Sequence, residues 1–147
     1  MPPRSPVAAH QLEHFSAIAP EYESWAGDLH GRAARRLVAW SKAAAGDRCL
    51  DVGTGTGLVA RALAPVVGPE GLVIGIDPSP GMLAVARSHA APNLRFVAGW
   101  AEHLDFRDGS FDLLTMGESL AYLADPFAAL DEAYRVLRPG GRLALST

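Results

Sequence analysis

Cysteine is almost missing from this chain: Cys49 is the only one among 147 residues. That excludes an internal disulfide framework and suits a reducing compartment. Positive charge is also short, with 13 basic against 16 acidic residues and a net charge of −3. Such a balance offers no basic footprint for nucleic acid. No apolar run approaches the roughly 18–20 residues that span a bilayer. The opening Met1-Pro2-Pro3-Arg4-Ser5-Pro6 lacks the apolar stretch of a signal peptide. The expected setting is therefore the cytoplasm, with neither nucleic acid nor membrane as a partner. What is present is ordinary globular material, 49% hydrophobic and 20% charged. The length suits one compact domain.

Three prolines in the first six residues predict a mobile tail over 1–9. Residues 10–45 read as a helical arm broken near Pro20 and Gly27, with Leu29, Ala33, Leu37, Trp40 and Ala44 on one apolar face. From residue 46 the pattern alternates. Strands are predicted at Arg48–Val52, Leu72–Ile76, Leu94–Ala98, Phe111–Met116 and Arg142–Ser146. Helices fall between them: Leu58–Ala64, stopped near Pro65, and Pro80 to about Ala90 behind the N-cap Ser79. A third, behind Asp125-Pro126, presents the stripe Phe127, Leu130, Tyr134 and Leu137 and is ended by Pro139-Gly140-Gly141. Apolar strands alternating with helices predict an α/β fold, a Rossmann-like doubly wound parallel sheet of order 3-2-1-4-5. The stretch between Ala98 and Phe111 carries no full helix, yet it is long enough to cross two strand widths.

The strongest chemical signal is Asp51-Val52-Gly53-Thr54-Gly55-Thr56-Gly57-Leu58. Glycines at the end of a first strand let the backbone turn and bring its amides close to a ligand. The helix that follows offers its positive end to a carboxylate or phosphate. Asp77 closes the second strand about 20 residues later, where an acidic side chain accepts hydrogen bonds from ribose hydroxyls. Capping a turn is the alternative use of Asp77. The dinucleotide fingerprint would need glycine at the position of Leu58.

Together these residues resemble the class I S-adenosylmethionine (SAM)-dependent methyltransferases, in particular the ubiquinone/menaquinone-biosynthesis type of small-molecule enzyme. The resemblance rests on Leu50–Leu58, Gly75–Leu83, Ser110-Phe111-Asp112 and Arg135–Gly141, and it extends over about residues 15–147. It implies that Asp51, Gly53, Thr54, Gly55 and Gly57 hold the methionyl end of SAM and that Asp77 binds the ribose. It further implies that Pro78 and Met82 pack near the adenine, and that Met116, Gly117 and Glu118 border the methyl donor and the acceptor. The segment Ile18–Tyr22 resembles the family's arm over the cofactor, with Tyr22 and Trp25 as a candidate aromatic lid.

This chain departs from the family pattern in two places. Trp100 precedes Ala101-Glu102 where an aspartate commonly meets the adenine, so recognition there falls to backbone groups or apolar packing. Ala121-Tyr122 stands where histidine is frequent. The implied activity is in-line methyl transfer to O, N or C of a small molecule, which depends mainly on holding donor and acceptor in line. Candidate proton acceptors are Glu118, His103 and Tyr22. A nicotinamide-dependent oxidoreductase domain and a non-catalytic SAM-binding module are the alternatives.

His10-Gln11-Leu12-Glu13-His14 matches an inverted zinc-protease signature, but it sits in the arm without a third ligand, and no metal is expected. Glu102, Asp105 and Asp108 read as a solvated acidic loop. The family's antiparallel strand pair beyond the fifth strand is absent from these 147 residues, so the expectation is either a core, residues 46–147, truncated after strand five or an open fifth edge that pairs with a second copy.

Overall fold

The computed structural model describes residues 6–25 and 28–147. Five parallel strands, β1 (Arg48–Val52), β2 (Leu72–Asp77), β3 (Leu94–Ala98), β4 (Phe111–Gly117) and β5 (Leu137–Ser146), form one sheet of order β3-β2-β1-β4-β5. The predicted sheet order is observed. Helices α1 (Pro6–Ile18) and α2 (Leu29–Ser41) precede the sheet, joined by a 3-10 turn at Ala19–Ser24. Helices α3 (Leu58–Val67), α4 (Pro80–Arg87) and α5 (Pro126–Val136) connect β1 to β2, β2 to β3 and β4 to β5. Residues 99–110 cross from β3 to β4 without a helix.

Two apolar layers flank the sheet. Cys49, Val73, Leu94 and Leu113 face Ala34 and Leu37 of α2 and Val59, Ala60, Leu63 and Val67 of α3. Leu50, Val52, Ile76, Leu114 and Met116 point the other way, against Ala129, Ala133 and Val136 of α5. Covering both faces explains why β1 and β4 read as continuous apolar runs. Each fully buried leucine here contributes about 1.5–3 kcal/mol of transfer free energy. Burial pushes the Cys49 thiol up to about 12, so it is an inert core group.

Several expectations change. The chain is helical from Pro6, so residues 6–9 are not a tail; proline at a first helical position loses only an amide that has no helical partner. Residues 1–5 of that expected tail lie outside the described residues. Helix α3 continues through Pro65 to Val67. Its last carbonyls find an outside donor, because Asn93 Nδ2 donates to the carbonyls of Ala64 and Gly68, both at 2.8 Å. Helix α4 stops at Arg87, short of Ala90.

The buried faces of α2 and α5 also differ from the expected ones. Trp40 is 73% exposed, while Ala34, Leu37 and Ser41 turn inward. Phe127 and Tyr134 are 80% and 86% exposed, and alanines sit against the sheet in their place. Small residues allow the close helix-to-sheet approach that large rings would block. Pro139-Gly140-Gly141 does not terminate α5, which ends at Val136. Those residues lie within β5, where the register slips between the pairs Phe111–Leu137 and Leu113–Arg142. Proline has no amide for the ladder, which suits such an irregularity.

Polar contacts tie the helix-free crossover in place. The Arg135 guanidinium donates to the carbonyls of Leu104 and Phe106, both at 2.7 Å, and pairs with Glu132 and Asp108. Glu132 accepts the Leu104 amide at 2.7 Å, and Glu102 accepts the amides of Ala124 and Asp125. Glu102 is thus a fastening group, while Asp105 and Asp108 stay exposed as expected, Asp108 at 82%. The effect of these contacts is to hold Trp100 and Ala101 beside the end of β3. The second edge of β5 has no strand neighbour among the described residues.

Candidate cofactor and active site

The strand order reverses between β1 and β4, and ligands of doubly wound sheets bind at the C-terminal strand ends beside such a switch point. A cavity of about 890 Å³, open to solvent, lies there. Its floor includes Gly53, Gly55, Asp77, Pro78, Met82, Trp100, Ala101, Gly117 and Glu118. Helix α1 roofs it with Ala8, Gln11, Leu12 and Phe15. The roof is fastened at α4: Ser16 Oγ and Ser79 Oγ are 2.8 Å apart, and a Cβ on Gly81 would lie 2.6 Å from the Ser16 carbonyl oxygen. Phe15 meets Tyr122 edge to face at 5.1 Å. A smaller cavity, about 480 Å³, opens between α2 and the glycine loop. Asp51, Thr54, Thr56 and His30 line only this one, whereas Tyr22, Gly53, Gly55, Gly117 and Glu118 border both.

The loop is shaped by its glycines. Gly57, at φ +89°, starts α3 in the left-handed region, and a Cβ there would lie 2.7 Å from the Phe96 ring. Its role is packing at the base of the loop; it lines neither cavity. Asp77 accepts the Gly55 amide at 2.9 Å and the Ser79 amide at 2.8 Å, which welds the loop to the end of β2. Its carboxylate keeps lone pairs for further donors. Burial raises its pKa, opposed by those two amides. Asp51 is 1% exposed and accepts the hydroxyls of Thr54 and Thr115, both at 2.7 Å. Burial pushes its carboxyl up to about 6 against those hydrogen bonds. Thr56 Oγ1 is buried in the wall of the smaller cavity without a hydrogen-bond partner among the described residues. A buried hydroxyl left unpaired beside a helix N-terminus fits the polar end of a ligand.

Of the residues expected at the site, the structure gathers Tyr22, Asp51, Gly53, Thr54, Gly55, Asp77, Pro78, Met82, Trp100, Ala101, Gly117 and Glu118 around the two cavities. Met116 is not among them. Its side chain is fully buried in the core against α5, because alternation along β4 turns it away from the strand-end opening. His103 is exposed and lines neither cavity; its amide closes a turn onto the Trp100 carbonyl. Trp25 is 44% exposed and also outside both linings. His10, Glu13 and His14 are exposed along α1, and no group of three metal-ligating side chains is found among the described residues.

Two site residues carry no local signal. Thr56 has only its place in the loop. His30 belongs to no motif, and the fold alone sets its ring against Tyr22, with centroids 4.4 Å apart and an interplanar angle of 18°. Its Nδ1 is 3.6 Å from Glu118 Oε2.

A glycine loop, an acidic strand end and a roofed cleft at a switch point define a Rossmann-like domain for a nucleoside-bearing cofactor. The chain belongs to the methyltransferase domain family, whose model matches residues 50–145, and within it to the SAM-dependent class I kind. It is 36% identical over 96% of its length to the ubiquinone/menaquinone biosynthesis C-methyltransferase of Ectopseudomonas mendocina, covering 59% of that protein. To the demethylmenaquinone methyltransferase of Thermus thermophilus it is 41% identical over 89% of its length, covering 62%. Among solved structures, a methyltransferase bound to the Haloferax volcanii Trm112 activator superposes with a TM-score of 0.80 and 33% identity. That match covers 89% of this chain and 58% of the other. The chain thus spans about three fifths of the length of these relatives. The family model and the relatives named above are of methyltransferases, which does not favour a nicotinamide enzyme.

Proposed function

We propose that this chain binds SAM across the two cavities and serves methyl transfer to a small molecule. The observation that carries the reading is the division of the site. A carboxylate suited to a ribose, Asp77, borders only the larger cavity, while Asp51 and the unpaired Thr56 hydroxyl border only the smaller. A ligand with a nucleoside at one end and an amino acid at the other fits that pair. Pro78, Met82, Trp100 and Ala101 would face the base, and the α3 N-terminus would meet the carboxylate. When bound, SAM supplies an electrophilic methyl group on a sulfonium.

The protein's part is to orient and enclose. Helix α1 and Tyr22 flank the opening and would limit the water around a bound ligand. Burial first, then Glu118, raises the Tyr22 pKa, so its hydroxyl stays protonated and acts as a donor. Glu118 is the candidate proton acceptor at the same place. Ala8, Leu12, Phe15 and Leu123 give the larger cavity an apolar wall suited to a flat acceptor. Relatives named for quinone methylation make a quinol-type ring the first acceptor to test. The acceptor takes the methyl on O, N or C.

A cytoplasmic setting is proposed from the single buried thiol. No helix among the described residues is long and apolar enough to cross a membrane. Isothermal calorimetry with SAM and with NAD tests the main proposal. Saturable binding of SAM and none of NAD is expected; a folded sample that ignores millimolar SAM overturns the cofactor assignment.

A further inference from the structure

In SAM the sulfonium sulfur joins the adenosine to the amino-acid chain. If those two ends occupy the two cavities, the sulfur lies where the cavities meet, and the only carboxylate among the described residues that borders both is Glu118. Glu118 is held there at some cost. It has φ +53°, a left-handed conformation that a non-glycine residue adopts only under constraint, and its amide donates to the Ser146 carbonyl at 2.9 Å. Its side chain, 43% exposed, has His30 beside it, whose Nδ1 stands 3.6 Å from Oε2 and whose ring is stacked on Tyr22. The 3-10 turn and α2, neighbours in sequence, thus meet the distant end of β4 at one carboxylate.

We infer that Glu118, positioned by His30, is the residue that distinguishes the charged cofactor from its neutral product, S-adenosylhomocysteine. The inference rests on the SAM reading above. A fixed carboxylate beside the sulfonium attracts the donor by Coulomb's law, and the attraction vanishes when methyl transfer leaves a thioether. The arrangement favours loading of SAM and departure of the product. His30 also lines the smaller cavity, and the part of its effect that runs through Glu118 makes it a positioning residue.

The test is calorimetric titration of the whole chain with SAM and with S-adenosylhomocysteine in the wild type and in Glu118→Gln, His30→Ala and His30→Asn. Glu118→Gln is expected to weaken SAM about tenfold while leaving the product's affinity in place. His30→Ala should move the same ratio in the same direction, and His30→Asn, whose amide offers a donor near the Nδ1 position, should restore part of it. Equal weakening of both ligands, or no change in either, overturns the inference. Imidazole ¹⁵N spectra supply a readout independent of ligand: Glu118→Gln should move the His30 Nδ1 resonance and leave those of His89 and His103 unchanged. An unmoved resonance overturns the pairing. A folded wild type that binds neither ligand overturns the SAM reading itself, a result distinct from either of these.

Discussion

Asp77 and Gly55 are joined by a 2.9 Å hydrogen bond from the loop amide to the carboxylate at the end of β2. The same carboxylate accepts the Ser79 amide, which opens α4. One side chain therefore sets the distance between the glycine loop and the wall of the larger cavity. Asn in its place keeps one acceptor oxygen and points an NH₂ group at a backbone donor. Asp77→Asn is expected to cost about 1–3 kcal/mol of stability, seen as a lower melting temperature. It should also weaken SAM binding at least about tenfold, since the ribose partner loses its charge. Unaltered affinity in calorimetry would remove Asp77 from the site.

Asp51 makes stability depend on pH in the direction opposite to a salt-bridged carboxylate. Its folded pKa of about 6 lies above the ordinary value of 3.8, because burial outweighs the two threonine hydroxyls. Between those values the folded chain holds a proton that the unfolded chain has released. This group's contribution therefore favours folding at the acid end and is lost as pH rises through about 6. The swing is on the order of 3 kcal/mol. Burial raises Asp77 as well, and it adds to the same trend. Asp51→Asn should flatten the slope of urea-unfolding free energy between pH 4 and about 7. At about pH 8 its stability should be close to or above that of the wild type, because hydroxyl partners can donate or accept.

The base of the loop has no room for a side chain. Gly57→Ala combines a positive φ of 89° with a Cβ 2.7 Å from the Phe96 ring. The expected loss is about 2–4 kcal/mol in denaturant unfolding, from backbone strain plus overpacking. Adding Phe96→Leu should recover the packing part and leave the strain. A Gly57→Ala chain as stable as the parent would show that the loop can relax.

The parts legible in the sequence are those whose cause is local. Ser79 and Asp125 cap their helices as expected, accepting the Met82 and Ala128 amides. The Gly-rich loop and Asp77 stand at the two strand ends that their spacing implied. The alternation of elements carried the sheet order. What spacing alone does not disclose is which face of a helix the sheet accepts. Helix α5 buries its alanines and exposes Phe127 and Tyr134, since close approach to the sheet outweighs side-chain hydrophobicity there. Likewise, the meeting of His30 with Glu118 depends on how α2 lies across the strand ends, and no periodicity encodes that.

Trp100 stands where the family resemblance implies an aspartate, and its position gives that difference a consequence. It lines the larger cavity beside Ala101 and Gly99, held by the crossover that Arg135 and Glu132 fasten. An indole offers no acceptor to an adenine amino group, but it offers an apolar face. Alanine substitution of an aromatic that stacks on a base costs about 1–3 kcal/mol. Trp100→Ala should therefore weaken SAM binding about ten- to a hundredfold, and Trp100→Phe should lose less. Emission supplies a second measurement, because the other two tryptophans, Trp25 and Trp40, lie outside the cavities and are 44% and 73% exposed. Quenching on SAM addition should survive replacement of Trp25 or Trp40 by Phe and disappear with Trp100→Phe. Quenching that persists in Trp100→Phe would place the adenine elsewhere.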